Sequence, residues 1–183
     1  MTYETMRTFF ALLTVVANAT VVVAIVLAIG GRWSEGIASL RARAATSVAG
    51  HEISLAFFVA LTATLGSLYL SEVVHLIPCT YCWYQRIAMY PLVLLLGVAW
   101  IRKDPGIRHY AVPLAGIGLF IASYHYLIQR VPSLGGPACT SAVPCTAAWF
   151  YEFGYMSIPY MAGSAFALIL VLMVTMHVRV RGT

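Results

Sequence analysis

The sequence has 183 residues, of which 61% are hydrophobic and only 9% are charged. These proportions lie far outside the range of soluble globular domains and indicate an integral membrane protein. The net charge of +5 comes from basic residues scattered beside the ends of apolar stretches, where anionic lipid head groups lie, so it does not require a nucleic acid. We therefore predict contact with membrane lipid and no nucleic-acid partner.

Five apolar stretches are long enough to cross a bilayer, since a transmembrane helix needs about 20 apolar residues. They are residues 9–29, 53–77, 83–101, 111–128 and 158–178. The first is longer than the apolar region of a signal peptide, follows a nearly neutral segment and precedes no convincing cleavage site. We interpret it as a retained helix and predict an all-α membrane protein with five spans.

The distribution of basic residues predicts how the chain is oriented, because cytoplasmic loops hold an excess of Lys and Arg. Eight of the 11 basic residues lie in residues 30–50, in the loop after the third stretch and in the C-terminal tail, and the other three are Arg7, Arg86 and Arg130. We therefore expect an outer N-terminus and a cytoplasmic C-terminus, with both cysteine pairs on the outer, oxidising side.

The linker at residues 30–50 has an amphipathic pattern. Trp33, Ile37, Leu40 and Ala44 recur at helical spacing. A short helix lying on the cytoplasmic interface fits this pattern, and an irregular polar linker fits it about as well. Neither interpretation gives the segment a chemical role.

The first cysteine pair, Cys79 and Cys82, lies where one apolar stretch ends and the next begins. If a helix starts near Thr80, Cys82 lies in its first turn, where unpaired N–H groups and the helix dipole stabilise a thiolate. We therefore expect Cys82 to be reactive. Arg86 lies one turn further on the same face, so its guanidinium can approach this sulfur. The alternative is an inert disulfide with Arg86 extended to the membrane surface.

The second pair, Cys139 and Cys145, would close a small ring in an outer loop of about residues 129–157. Small rings gain little closure entropy, so this disulfide is predicted to exchange rather than to serve stability. A structural disulfide that fixes the loop is the alternative. Two dithiols on one membrane face can pass electrons by thiol–disulfide exchange, one receiving them from a soluble partner and the other passing them on.

A lipid-soluble quinone is the natural electron acceptor, because the sequence has neither a haem-attachment motif nor a nucleotide-binding fingerprint. His125 and Gln129 share a predicted helix face that could line a head-group pocket with Arg86, although His125 is equally compatible with an interfacial position. Glu72 and His75, predicted on one face of the second helix, could relay protons. Solvated positions near the helix end explain these two residues equally well.

Four runs of the sequence closely resemble the DsbB family, especially its BdbC-like branch. They are residues 66–72 (Gly-Ser-Leu-Tyr-Leu-Ser-Glu), 78–91 (Pro-Cys-Thr-Tyr-Cys-Trp-Tyr-Gln-Arg-Ile-Ala-Met-Tyr-Pro), 125–129 (His-Tyr-Leu-Ile-Gln) and 139–145 (Cys-Thr-Ser-Ala-Val-Pro-Cys). The resemblance spans about residues 53–178. It implies a four-helix bundle that reoxidises a DsbA-like thioredoxin-fold protein and reduces a membrane quinone, ubiquinone or menaquinone.

The same resemblance implies a role for each cysteine. The partner's thiolate would attack Cys139, Cys145 would exchange with Cys79, and Cys82 would face the quinone with Arg86 stabilising the charge.

The chain departs from the family at its start, where it has one helix more than the typical four. The predicted fold class is therefore an all-α integral membrane protein, a four-helix transmembrane bundle plus one extra N-terminal transmembrane helix. We assign residues 1–30 to the extra helix, 31–50 to the cytoplasmic linker and 51–183 to the catalytic bundle, in a bacterial cell membrane.

Three other functions are alternatives to this one. An enzyme similar to vitamin K epoxide reductase would share the bundle and the quinone, but the Trp-Tyr-Gln-Arg run after Cys82 favours DsbB. A membrane protein that holds zinc with four thiolates is a second alternative, although the cysteine spacing is not a strong zinc pattern. A channel or transporter is the third, and few charges lie within the apolar stretches. We predict no metal site.

Overall fold

The computed structural model describes residues 3–135 and 143–181, with side chains described as far as residue 178. Within these residues the chain forms α-helices, short helical turns and no β-strand, apart from an isolated bridge between Glu152 and Met156. The helices are α1 (Tyr3–Gly30), α2 (Glu35–Ser47), α3 (Glu52–Leu68), α4 (Thr80–Arg102), α5 (Arg108–Arg130) and α6 (Ile158–Arg181).

Five helical segments are long and apolar enough to cross a membrane: α1, α3 with its continuation to Val73, α4, α5 with the turn before it, and α6. The predicted fold class is therefore confirmed. Outward-facing side chains are also apolar, and Leu94, Ile101 and Phe120 are 74%, 81% and 74% exposed. Apolar surface of this extent is stable in lipid and would be a liability in water.

Helices α3 to α6 form a four-helix bundle in which α3 contacts α4, α4 contacts α5, α5 contacts α6 and α6 contacts α3. Buried apolar side chains, among them Leu92, Leu96 and Met173, fill its core. Helices α5 and α6 approach closely because Gly118 has no side chain, and a Cβ there would collide with the Phe166 ring. Close approach through small residues is typical of membrane bundles, which are held mainly by packing.

The end of the second span differs from the sequence expectation. We predicted a helix to residue 77, but the last regular turn is a π-helical segment, Tyr69–Val73, and the chain then becomes irregular. His75 has a φ of 60°, in the left-handed region, so it cannot continue the helix. The expectation that Glu72 and His75 share one helix face is therefore wrong; both side chains are exposed.

Helices α1 and α2 lie outside the bundle. Helix α1 packs mainly against α6, and α2 packs against α1. The linker is thus helical over Glu35–Ser47 rather than irregular, and none of its side chains is buried. Trp33 precedes this helix and is 81% exposed.

Candidate active site

Both cysteine loops lie at the same end of the bundle, where Cys79 is the N-cap of α4. Its sulfur accepts a hydrogen bond from the backbone N–H of Cys82, at 3.4 Å. Capping by a side-chain acceptor satisfies one of the unpaired N–H groups with which every helix begins. An unpaired N–H group of the first turn therefore points at the Cys79 sulfur and favours a thiolate there. The sequence pattern instead predicts the thiolate at Cys82.

Cys79 and Cys82 are free thiols whose sulfur atoms lie 2.9 Å apart. The imidazole of His125 is a further partner, with Nε2 at 3.5 Å from the Cys79 sulfur. The amide nitrogen of Gln85 lies 3.1 Å from Nδ1 of the same ring. Because an amide NH₂ only donates, Nδ1 accepts and Nε2 carries the hydrogen that points at the sulfur.

These contacts lower the pKa of Cys79 from its ordinary value of 9.0 to about 4. The hydrogen bond with the Cys82 thiol is the largest cause; the contacts with His125 act in the same direction, and burial opposes them. A thiolate is the nucleophile in disulfide exchange. Cys79 is therefore the sulfur that this site prepares for exchange.

Cys145 belongs to the same buried cluster as Cys79, together with Ile128. It is 1% exposed and is disulfide-bonded. Cys139, the other predicted cysteine of this loop, lies outside the described residues. The fold thus brings one cysteine of the second pair against the first pair, although two long helices, α4 and α5, and part of a loop separate them along the chain.

Arg86 lies one turn beyond Cys82 and is held by α3. Its Nε and one terminal nitrogen donate to the hydroxyl and the backbone carbonyl of Ser67, both at 3.0 Å. Its guanidinium carbon lies 5.2 Å from the centre of the Trp83 ring. Such bonds fix the direction of a charge at membrane depth, where an idle cation would be costly.

A cavity of about 320 Å³ lies among α1, α3, α4 and α6, and both Cys82 and Arg86 line it. Its walls are mainly apolar, and Ser67, Gln85 and Tyr90 are among its further polar residues. The volume falls within the roughly 300–1,000 Å³ of typical small-molecule sites, which combine apolar walls with few polar groups. A flat quinone ring with two carbonyl acceptors fits this combination.

A second cavity, of about 160 Å³, is lined by Cys79, Cys82, His125 and Gln129. Gln129 accepts a hydrogen bond from the Ser157 hydroxyl at 2.7 Å. The expectation that His125 and Gln129 share a head-group pocket with Arg86 is therefore not met. Cys82 lines both cavities, the one with Arg86 and the one with His125 and Gln129.

Sequence reasoning missed Gln85, Ser67 and Tyr81. Gln85 is buried and bonded to His125, Ser67 holds Arg86, and the Tyr81 ring lies 5.6 Å from the His125 ring. A usable signal was present for Gln85, because an uncharged polar residue inside an apolar span, one turn after a cysteine, is rarely accidental. The role of Ser67 depends on the pairing of α3 with α4 and had no local signal.

The zinc alternative with four thiolates conflicts with the state of Cys145, since a sulfur in a disulfide is not a thiolate ligand. Within the described residues, the sulfur and nitrogen atoms close enough to share an ion are those of Cys79, Cys82 and His125, all within 4.8 Å of one another.

A multi-pass helical membrane protein with a dithiol at a helix cap and a second, disulfide-bonded cysteine beside it belongs to the class of membrane thiol oxidoreductases. A family model described as disulfide bond formation protein DsbB matches residues 51–176. The chain therefore belongs to the DsbB family, and the resemblance seen in the sequence is confirmed. The match begins just before α3, so α1 and α2 lie outside it.

Two relatives illustrate the similarity. The chain is 51% identical over 116 residues to disulfide bond formation protein C of Bacillus subtilis (strain 168), which covers 63% of this chain and 84% of the relative. It is 47% identical over 130 residues to a probable disulfide formation protein of Oceanobacillus iheyensis, covering 69% of this chain and 89% of the relative. No solved structure matches the chain significantly.

Proposed function

We propose that this chain reoxidises a DsbA-like thioredoxin-fold protein by disulfide exchange and passes the electrons to a membrane quinone, ubiquinone or menaquinone. One observation carries the proposal: Cys82 joins two environments. On one side lies the buried cluster of Cys79 with disulfide-bonded Cys145. On the other lies the largely apolar cavity with Arg86. Electron transfer from a disulfide-exchange site to a lipid-soluble acceptor requires both the cysteine cluster and the apolar cavity.

The exchange steps balance without a further reactant. A thiolate of the partner attacks Cys139 and releases Cys145, and the partner's second thiol then frees Cys139, so the partner leaves oxidised. Cys145 attacks Cys79 of a Cys79–Cys82 disulfide and releases Cys82, and Cys139 then closes on Cys145 again. The Cys79–Cys82 disulfide has then been reduced to two thiols, which takes up two electrons and two protons.

A bound quinone accepts two electrons and two protons, which balances the return of Cys79 and Cys82 to a disulfide. Arg86 supplies a fixed positive charge for negative charge that develops in the cavity, and its bonds to Ser67 keep the guanidinium oriented beforehand. His125 directs its Nε2–H at the Cys79 sulfur, and Gln85 holds the ring in this orientation. The apolar walls exclude water, which strengthens both electrostatic effects.

We also propose that both cysteine pairs lie outside the cytoplasm of a bacterial cell, with the N-terminus outside, the C-terminus inside and residues 51–183 as the catalytic unit. Two observations support this orientation. Eight of the 11 basic residues fall on the opposite side. The start of α1 also lies at the cysteine end, because Arg7 forms an ion pair of 2.6 Å with Glu152.

Cysteine variants test the proposed relay. In Cys145→Ser, Cys139 is left as a free thiol, so the variant should be mixed with the oxidised partner. The Cys139 thiolate should attack the partner's disulfide, and the mixed disulfide should accumulate because the outer loop has no second thiol to release Cys139. Cys79→Ser and Cys82→Ser should still exchange their outer disulfide with the partner while quinone reduction stops. Non-reducing gels and quinone absorbance report the two results separately. Full turnover in a variant of either outer cysteine would show that the relay is wrong.

A further inference from the structure

Helix α1 lies outside the part of the chain that matches the family, yet it forms one wall of the cavity that holds Cys82 and Arg86. The residues of α1 that line the cavity follow one helical stripe, and they include Met6, Phe10, Leu13, Thr14 and Ala17. This stripe starts beside the cysteine end and extends about 15 Å along the helix axis. Anchoring the chain in the membrane does not require a helix to line the cavity, so this placement indicates a further role for α1.

The contact of α1 with the bundle is close at the polar end of the cavity. A Cβ added at Gly66 of α3 would meet the Phe10 ring at 2.7 Å, so only glycine permits this approach. The next residue is Ser67, which holds Arg86. Phe10 therefore lies beside the residues that fix the charge of the site.

Polar contacts hold α1 in this position. Arg7 donates to Glu152 at 2.6 Å, and the two side chains are 19% and 13% exposed. The guanidinium of Arg7 also lies 4.8 Å from the centre of the Phe150 ring. Further along, the Asn18 amide donates to the Tyr160 hydroxyl at 3.1 Å. An ion pair and a hydrogen bond about three turns apart fix both the rotation and the depth of the helix against α6 and the loop before it.

The opposite walls of the cavity differ in chemistry. Cys82, Arg86 and Ser67 give the α3–α4 side its polar groups, while α1 offers mainly apolar side chains. The polar residues of α1 at the cavity are already bonded: Arg7 is paired with Glu152, and the Thr14 hydroxyl donates to the Phe10 carbonyl. A ligand with a polar ring edge and an apolar body or tail would satisfy both walls at once. We propose that α1 completes the quinone site, with Phe10 and Leu13 contacting the bound quinone and thereby setting its affinity. This inference rests on the proposed quinone reduction and assigns a binding role to the helix that the family match leaves out.

Substitutions on two faces of α1 test the assignment in the full-length protein. Phe10→Ala should raise the KM for quinone about fivefold, the size expected for one lost aromatic contact. Leu13→Ala should raise it by a smaller factor. Leu12→Ala is the matched control, because Leu12 is 54% exposed and does not line the cavity. The rate at which the outer disulfide reacts with the partner should stay unchanged in all three variants.

The outcomes separate this inference from the proposed function. If wild type reduces quinone and Phe10→Ala and Leu13→Ala behave like Leu12→Ala, α1 does not contact the quinone and the inference is overturned. If wild type fails to reduce any quinone while its dithiols exchange normally, the proposed function fails instead. Photolabelling of wild type with an azidoquinone needs no folded variant: label on residues 6–17 supports the inference, and label confined to α3 and α4 overturns it.

Discussion

At the scale of single residues, the site depends on which sulfur carries the charge. The Cys79 sulfur caps α4 by accepting the Cys82 N–H, and it also lies against the Cys82 thiol and the His125 imidazole, so three donors converge on one atom. Cys82 is left as the donor to Cys79 and as the sulfur that lines both cavities. In the proposed relay, disulfide exchange takes place at Cys79 and the acceptor is reached at Cys82.

The lowered pKa of Cys79 predicts how its alkylation depends on pH. Because the pKa is about 4, the thiolate persists as pH falls, and the rate of alkylation should be nearly flat between about pH 6 and pH 8. In Cys82→Ala the largest cause of the shift is gone, so the rate should fall steeply towards pH 6. Mass spectrometry of Cys79 in the reduced protein measures both profiles. A steep profile in wild type would contradict the assignment.

Arg86 should govern the use of quinone. Arg86→Lys keeps the charge but loses the planar group that bonds twice to Ser67, and Arg86→Met loses both. We expect quinone reduction to weaken in the order wild type, Lys, Met, with Arg86→Met costing on the order of 100-fold in kcat/KM. Arg102→Met, at the far end of α4, serves as the control and should match wild type. Unchanged kinetics in Arg86→Met would remove Arg86 from the site.

The sequence indicated residues of the candidate site but not the contacts between them. The spacing of Cys79, Cys82 and Arg86 along one helix start was enough to indicate a reactive dithiol near a charge. It could not show that His125 contacts Cys79 rather than Arg86, because that depends on how α5 rotates against α4. Helix faces are readable from spacing, but the partner of each face is decided by tertiary packing.

At the scale of elements, all five predicted spans form, and the error is largest at the end of the second one. The residues before Pro78 are mostly apolar and read as helix, but proline disfavours helical backbone at the residue before it. The chain leaves the helix earlier, through the π-helical turn and His75. Hydropathy identifies a span and cannot locate such a boundary.

Two glycines of α5 test how tightly the bundle is packed. Gly118→Ala should destabilise the protein by about 1–3 kcal/mol, since the new Cβ collides with the buried Phe166 ring. Gly116→Ala, two residues earlier, meets nothing within 4 Å and should be neutral or slightly stabilising. Thermal unfolding in detergent compares the two variants with wild type. Equal behaviour of both would mean that α5 and α6 are not in close contact at Gly118.

At the scale of the whole molecule, the orientation in the membrane has a direct test. In intact cells, a membrane-impermeant thiol reagent should label a Ser133→Cys substitution made in a cysteine-free background, because Ser133 is exposed just beyond the end of α5, at the cysteine end of the bundle. Cys79 and Cys145 themselves are buried and would not report the orientation. A Ser39→Cys substitution in exposed α2, made in a cysteine-free background, should be labelled only after the cells are permeabilised. The reverse pattern would invert the orientation and remove the oxidising environment that the function requires.

The extra helix shows where prediction from the sequence stops. Its length and apolar character were clear, but its stripe facing the cavity depends on contacts with α3 and α6 that no local pattern encodes. The Arg7–Glu152 ion pair joins residues that are 145 positions apart along the chain. Residues so far apart in sequence meet only in the folded bundle.

The central claim is that one chain couples thiol oxidation to quinone reduction. Purified protein should be mixed with a quinone and a reduced thioredoxin-fold partner, and quinone absorbance and partner thiols should be followed together. We expect one quinone to be reduced for each partner dithiol oxidised, with Cys82→Ser abolishing the absorbance change. The two disulfides of the chain can oxidise at most two partner dithiols without an acceptor, so oxidation of the partner beyond two equivalents per protein, without any loss of quinone absorbance, would contradict the account.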